Sequence, residues 1–324
     1  MTSDTLFRCS IIIRCYNEEE HIAKLLAGIL QQTISGTEII LVDSGSTDAT
    51  LSIAAQYPVK VLYISPEDFS FGRALNLGCE EATGNILIFI SAHCYPVYTD
   101  WLEYLIKPFS DPDVVLSYGK QIGDATSKFS ERQVFSKWFP AESNDNQETP
   151  FNNNANAAIR KSEWIQYHYN EELTGLEDLD WANRAIIRGK KIAYSSEAVI
   201  VHLHHEEFRQ IRNRYRREAT ALKTIFPNER FSLSDFISLF IKNSISDMAV
   251  AFREKCLLKN IRGILMFRYM QFSGTYEGFS DKKTVTQQLR NTFYYPNTNK
   301  QVLTQKRSPE KRKKIQYSSF DERE

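Results

Sequence analysis

The chain reads as an α/β protein with a mainly parallel central sheet and a helical C-terminal extension. Three observations predict this. Short β-branched runs alternate with helix-patterned segments from residue 9 to about residue 120. The first two runs, at residues 9–15 and 38–43, each stop at a polar turn that opens a helix, as in a sheet covered on both faces. Beyond residue 210 the pattern is helical throughout.

Element by element, residues 9–15 form the first strand and residues 21–31 a helix with apolar positions at helical spacing. Residues 38–42 are the second strand, and residues 48–56 suit a helix that Asp48 can cap. Residues 59–64 are a strand, 71–82 a helix, 85–90 a dense apolar strand, 101–109 a short helix and 114–119 a strand. Residues 124–150 are irregular and polar, a loop of the kind that covers a site. Helices follow at 161–167 and 178–187, then a strand at 191–202. Helices at 211–225, 233–257 and 259–272 complete the ordered part. The division expected is 1–225 for the α/β domain, 226–280 for the helical extension and 281–324 for a disordered polar, basic tail.

Composition narrows the class. Forty basic and forty acidic residues cancel, so charge gives no footprint for nucleic acid. Five scattered cysteines without a Cys-x-x-Cys pair argue against a disulfide scaffold or a thiolate zinc site. A polar start leading straight into a strand leaves no room for a signal peptide, and no run reaches the roughly 18 apolar residues that span a bilayer. The expectation is a cytoplasmic protein, soluble or membrane-associated at the inner face.

Chemistry-bearing residues collect at the strand ends. The first strand ends Arg14-Cys-Tyr16-Asn-Glu18, and the second ends Asp43-Ser44-Gly-Ser-Thr-Asp48. Ligands of open α/β sheets bind beyond such carboxyl ends. A carboxylate there can accept from a base N–H, and a tyrosine can cover the base. The segment Phe71-Gly72-Arg73-Ala-Leu-Asn76 offers a close backbone approach, a forked guanidinium for a diphosphate and an amide to hold the site's backbone. The fourth strand ends Ile-Ser91-Ala-His93, and the last strand ends Val-His202-Leu-His204-His205. Residues 152–156 are rich in asparagine, and Glu177-Asp178-Leu-Asp180-Trp181 opens a helix.

These motifs and their order resemble glycosyltransferase family 2 over residues 8–220, a family of GT-A fold. The resemblance implies an inverting transfer of sugar from a nucleoside diphosphate donor to an acceptor hydroxyl, as in surface polysaccharide biosynthesis. It places the nucleotide on Arg14, Tyr16, Glu18, Asp43, Ser44, Arg73 and Ser91, and the general base on Asp178 with Glu177 beside it. The family's metal-binding Asp-x-Asp falls on Ser91-Ala-His93, so both aspartates are replaced. Imidazole suits Mn²⁺ better than Mg²⁺, so His93 with His202 or His204 is expected to hold a divalent metal, Mn²⁺ favoured. Asn154, Asn156 and Trp181 are expected at the sugar or acceptor. The acceptor implied is a saccharide or lipid-linked saccharide.

Two other classes compete with this one. Loss of the Asp-x-Asp pair favours a non-catalytic binding or regulatory relative, and retention of Glu177-Asp178 opposes it. No Gly-x-Gly-x-x-Gly follows the first strand, which argues against a dinucleotide oxidoreductase. The arginines of residues 209–217 offer either a phosphate contact or a solvated helix face. The amphipathic segments 234–248 and 261–272 cover a core, a homodimer interface or a membrane surface, with the basic run 311–314 nearby in composition.

Overall fold

The computed structural model describes residues 7–279 and 312–317. Strands β1 (Cys9–Cys15), β2 (Glu38–Asp43), β3 (Lys60–Tyr63) and β4 (Ile86–Ser91) lie parallel, linked through helices α1 (Ile22–Leu30), α2 (Thr50–Ala54) and α3 (Phe71–Glu81). Alternate side chains of these strands enter two separate cores. Ile11, Ile13, Ile86 and Ile88 pack with α1, whereas Ile12, Leu87 and Phe89 pack with α3. Burial of both faces is why these strands read as unbroken apolar runs.

The second half of the sheet is mixed. The strand order is β3-β2-β1-β4-β7-β6-β8-β5. Here β5 spans Cys94–Pro96, β6 spans Val114–Ile122, β7 spans Asn156–Arg160 and β8 spans Lys191–His202. β7 runs antiparallel between β4 and β6, β6 and β8 are parallel, and β5 returns antiparallel along β8. Around them lie α4 (Trp101–Ile106), α5 (Phe129–Trp138), α6 (Lys161–Gln166) and α7 (Glu177–Ile187).

Three long helices follow: α8 (Phe208–Ile225), α9 (Leu233–Arg253) and α10 (Leu257–Phe279). α10 packs closely on α8 because Gly274 and Gly278 face the Arg212 and Arg216 carbonyls, where any Cβ would collide. A buried ion pair ties α10 to α9, with the Arg268 guanidinium donating to Asp247 at 2.7 and 2.9 Å. Among the described residues no helix is long and apolar enough to cross a membrane.

Three expectations change. The region read as a polar loop contains α5, whose Phe129, Val134 and Phe135 are buried. Ala49, not Asp48, takes the N-cap position of α2; the Asp48 carboxylate accepts from the Thr50 amide at the helix start and from the Glu19 amide, and so ties the two polar turns together. Part of the expected disordered tail is ordered: residues 312–317 lie along residues 97–99, with the Ile315 amide donating to the Val97 carbonyl and Arg312 forked onto Asp100. The basic run is therefore partly consumed by the α/β domain, since an apolar Ile315 and Tyr317 give it something to bury. The rest of the tail expectation lies outside the described residues.

Candidate functional site

The pairing of β1 with β2 and β4 sets the site's floor. Register places Arg14 opposite Ser91 and Cys15 opposite Asp43, so the ends of β1, β2 and β4 deliver their polar turns to one edge. Tyr16 is 55% exposed there, leaving its ring open for stacking. Asp43 is turned inward: its carboxylate accepts from the Gly45 and Ser46 amides at 3.0 Å each, and it is buried. Ser44 donates to the Cys15 carbonyl. Both residues brace the turn at the strand end.

Short strand β5 then doubles back. Its antiparallel register pairs Cys94 with His202, which brings His93 beside the end of β8. The chain leaves β8 at Leu203, whose amide donates to the His93 carbonyl, and His204 swings back to the same point. The result is a cluster of His93, His202 and His204 with one ring nitrogen of each lying within 4.8 Å of the others. His93 Nε2 and His202 Nε2 are 3.1 Å apart.

Each ring is held from behind. His93 Nδ1 meets Glu18 Oε1 at 2.7 Å, His202 Nδ1 meets Gln121 Oε1 at 2.7 Å, and His204 Nδ1 meets Glu131 Oε1 at 2.8 Å. An acceptor oxygen on Nδ1 fixes the proton there and leaves a lone pair on Nε2. The His93 and His202 Nε2 atoms face each other, and three imidazoles brought this close match the ligand set of a divalent cation. Outer carboxylate or amide partners of this kind also orient metal-binding histidines. The donor set therefore fits a divalent metal. Burial pushes the pKa of His202 and His204 well below the ordinary histidine range, which keeps both rings neutral. Phe135 lies near-parallel to both rings, at 5.8 and 6.3 Å between centroids; His202 is buried, whereas His204 keeps an edge open to the cleft.

The second pole of the site is the N-terminus of α7. Leu176 sits at φ 57°, a left-handed conformation that is costly for a branched side chain and turns the helix start into the site. Glu177 accepts from Arg14 at 3.1 Å, so the end of β1 and the start of α7 meet there. Asp178 accepts from the Asn154 amide at 3.1 Å and from the Leu179 amide at 2.8 Å. Burial, then the neighbouring Glu177 carboxylate, pushes Asp178 up to about 7. A carboxyl group with that pKa can take up and release a proton near neutral pH.

A cavity of about 140 Å³ lies between the poles. Asp178, His202 and His204 border it at one end, and Trp138, Phe151 and Leu222 wall it at the other. An open cleft on the far side of the cluster is lined by Glu18, His93, His204 and His205. His205, pointing away from the cluster, packs edge-on against His21.

The remaining expected residues divide. Asn154 is brought to Asp178 through its amide, as above. Arg73 stays at the rim, paired with Glu171 at 2.9 Å. Beside it, Gly72 leaves room for the Asn170 carbonyl, and Asn76 clamps residues 164–171 through Trp164 and Tyr169. Asn156 and Trp181 are corrections. Asn156 is fully buried, bonded to the Trp101 indole and to the Lys120 and Ala198 carbonyls. Trp181 is also fully buried, with its indole donating to the Tyr167 carbonyl, so neither presents a face to a sugar.

Sequence reasoning missed Gln121 and Glu131, which orient two of the histidines, and Arg217. The Arg14 and Arg217 guanidiniums lie 4.9 and 4.7 Å from the centroid of the same Phe71 ring, beside Glu177. No spacing links these residues along the chain; only the arginine-rich composition of residues 209–217 hinted at the last.

Comparison with known proteins agrees with this geometry. The family model described as Glycosyl transferase family 2 matches residues 10–164. The chain is 30% identical over 226 residues to the O-antigen chain rhamnosyltransferase RfbN of Salmonella typhimurium, covering 64% of this chain and 70% of that protein. It is 31% identical over 196 residues to the O-antigen chain rhamnosyltransferase WbaN of Salmonella anatum, covering 57% of this chain and 62% of that one. In fold it is similar to the mannosyltransferase PcManGT of Pyrobaculum calidifontis, solved with GDP-Man and Mn²⁺, at a TM-score of 0.59 and 18% identity over 87% of this chain and 90% of that one. With the Asp178 helix and the strand-end turns in their expected order, the chain belongs to glycosyl transferase family 2, a family of GT-A-fold enzymes that transfer sugars.

Proposed function

We propose that the chain moves one sugar from a nucleoside diphosphate donor to an acceptor hydroxyl with inversion, during assembly of a surface polysaccharide at the cytoplasmic face of a membrane. The observation that carries this reading is that the Asp178 carboxylate shares one cavity with His202 and His204, two members of the three-histidine cluster. The two O-antigen rhamnosyltransferase relatives support a saccharide or lipid-linked saccharide acceptor. The neighbour solved with GDP-Man and Mn²⁺ supports a sugar-nucleotide donor.

In this reading the nucleotide lies along the strand-end turns, with Tyr16 covering the base and Glu18, Ser44 and Ser91 lining its path. Arg73 at the rim and Arg14, braced by Glu177, supply positive charge near the diphosphate. The acceptor occupies the cavity beside Asp178, with Asn154 behind that carboxylate. Asp178 takes the proton from the acceptor hydroxyl as its oxygen attacks the anomeric carbon. The bond from that carbon to the diphosphate breaks with its electron pair leaving on the diphosphate, so one displacement inverts the centre. A divalent ion held by His93, His202 and His204 would offset the charge of the departing diphosphate. An imidazole donor set favours Mn²⁺ over Mg²⁺, which prefers oxygen ligands.

The test is nucleoside diphosphate release from a panel of sugar nucleotides, with Mn²⁺, with Mg²⁺ and with EDTA. Asp178→Asn is expected to lower turnover by about 10²–10⁴-fold while Mn²⁺ binding, read by electron paramagnetic resonance, persists. His93→Ala is expected to lose that Mn²⁺ signal. Turnover within tenfold of wild type in Asp178→Asn would remove the carboxylate from the role of base. Failure to bind any donor would point to a non-catalytic relative.

A further inference from the structure

Helices α9 and α10 bury one face each and leave the other apolar. On α9 the exposed positions include Leu233, Ile237, Ile241, Ile245 and Phe252, spaced four, four, four and seven residues apart along one side. On α10 the matching series is Leu258, Ile261, Leu265, Tyr269 and Tyr276. Rings join the two series across the helix pair: Phe236 lies 6.0 Å from Tyr269 and 6.2 Å from Tyr276, and Phe240 lies 6.3 Å from Tyr269. The result is one continuous apolar surface that the catalytic reading does not use.

Exposure peaks at the turn joining the helices, where Phe252 is 72% and Leu258 is 93% exposed. Around that corner stand Arg253, Lys255, Lys259 and Arg262, all exposed, against a single acidic Glu254. Projecting large apolar side chains ringed by cations match an anionic bilayer surface: the apolar groups enter the acyl boundary and the cations meet phosphate headgroups. Tyrosines farther along the face suit the same depth, having an apolar ring and a polar tip.

We propose that the α9–α10 face is an interfacial membrane-docking surface, led by the Phe252–Leu258 corner and selective for anionic lipid. This goes beyond the transfer reaction and does not depend on it. Docking would hold the transfer site at the bilayer where a lipid-linked acceptor resides.

The experiment is co-sedimentation of the full chain with phosphatidylcholine vesicles, with and without phosphatidylglycerol, in the absence of donor and acceptor. Binding is expected only with the anionic lipid and is expected to fall with added salt. The pair Phe252→Ser/Leu258→Ser and the pair Arg253→Glu/Lys259→Glu should each weaken it by about tenfold or more, with unchanged thermal unfolding and unchanged donor binding. These side chains are exposed, so their loss leaves the core intact. No binding to anionic vesicles, or equal binding by both variant pairs, would overturn the proposal. So would a dimer by light scattering that dissociates in Phe252→Ser/Leu258→Ser, since a second copy would then occupy the face.

Discussion

Asp178 illustrates how a residue's neighbours set its chemistry. Its side chain faces two backbone amides, which favour the charged form, yet burial and the Glu177 carboxylate win and raise its pKa. Replacing Glu177 by Gln removes the repelling charge and also leaves the Arg14 guanidinium unpaired. Both changes stabilise ionised Asp178, so the acid limb of the pH profile of kcat/KM should move to lower pH in Glu177→Gln. An unmoved limb, or one shifted upward, would mean that another group titrates. Linkage gives a second readout. A carboxyl whose folded pKa is raised lends stability below its unfolded pKa and loses it as pH rises through about 7. Asn carries no such charge, so the stability of Asp178→Asn relative to wild type should increase with pH between about 4 and 7, as followed by urea denaturation. The Glu177-Asp178 pair at a helix start was legible in the sequence. The burial that raises Asp178 was not, because the Leu176 turn and the Asn154 loop come from distant segments.

At the scale of elements, the β6–β8 pairing decides where the histidines can be held. Its register shifts between Gly119 and Gln121, and that irregularity accompanies the pairing of Gln121 with His202. Gly119 faces the Ala198 carbonyl and the Asn156 amide, and a Cβ there would collide with both. Gly119→Ala should therefore cost about 1–3 kcal/mol through overpacking, seen as a lower melting temperature with donor affinity reduced alongside. The parallel strands β1 to β4 were readable because double burial writes itself as β-branched runs. Helix α5 was not, since its apolar residues cover only part of a mostly polar segment. That omission hid Glu131, the partner of His204. Three-residue β5 is too short to carry a period at all, yet its antiparallel return is what sets His93 against His202.

For the molecule as a whole, the helical layer supports the site from outside. Arg268 on α10 pairs with Asp247 on α9 and reaches toward the Ser130 carbonyl on α5 at 3.5 Å, next to Glu131. Both charges are almost fully buried. Arg268→Met should lose about 3–5 kcal/mol because it strands the Asp247 carboxylate, whereas Arg268→Met/Asp247→Leu should recover most of that loss. Equilibrium denaturation of the two single variants and the double closes the cycle. A near-zero coupling would show that the pair does not bind the layers. Because Arg268 also touches the helix carrying Glu131, the single variant should weaken Mn²⁺ binding as well.

Local sequence determined the fold class, the parallel strands, the strand-end turns, the Glu177-Asp178 helix start and the histidine-bearing ends of β4 and β8. Each follows from short-range periodicity or turn chemistry, which adjacent residues carry by themselves. Tertiary structure decided which candidates meet. Trp181 and Asn156 went into the interior because sheet and helix packing claimed their faces. Asp43 braces its own turn. Residues 121, 131, 202, 204 and 93 came together through an antiparallel return and a helix that no local pattern announced. Convergence of that kind is a property of long-range register, and register is fixed by the packing of the whole sheet.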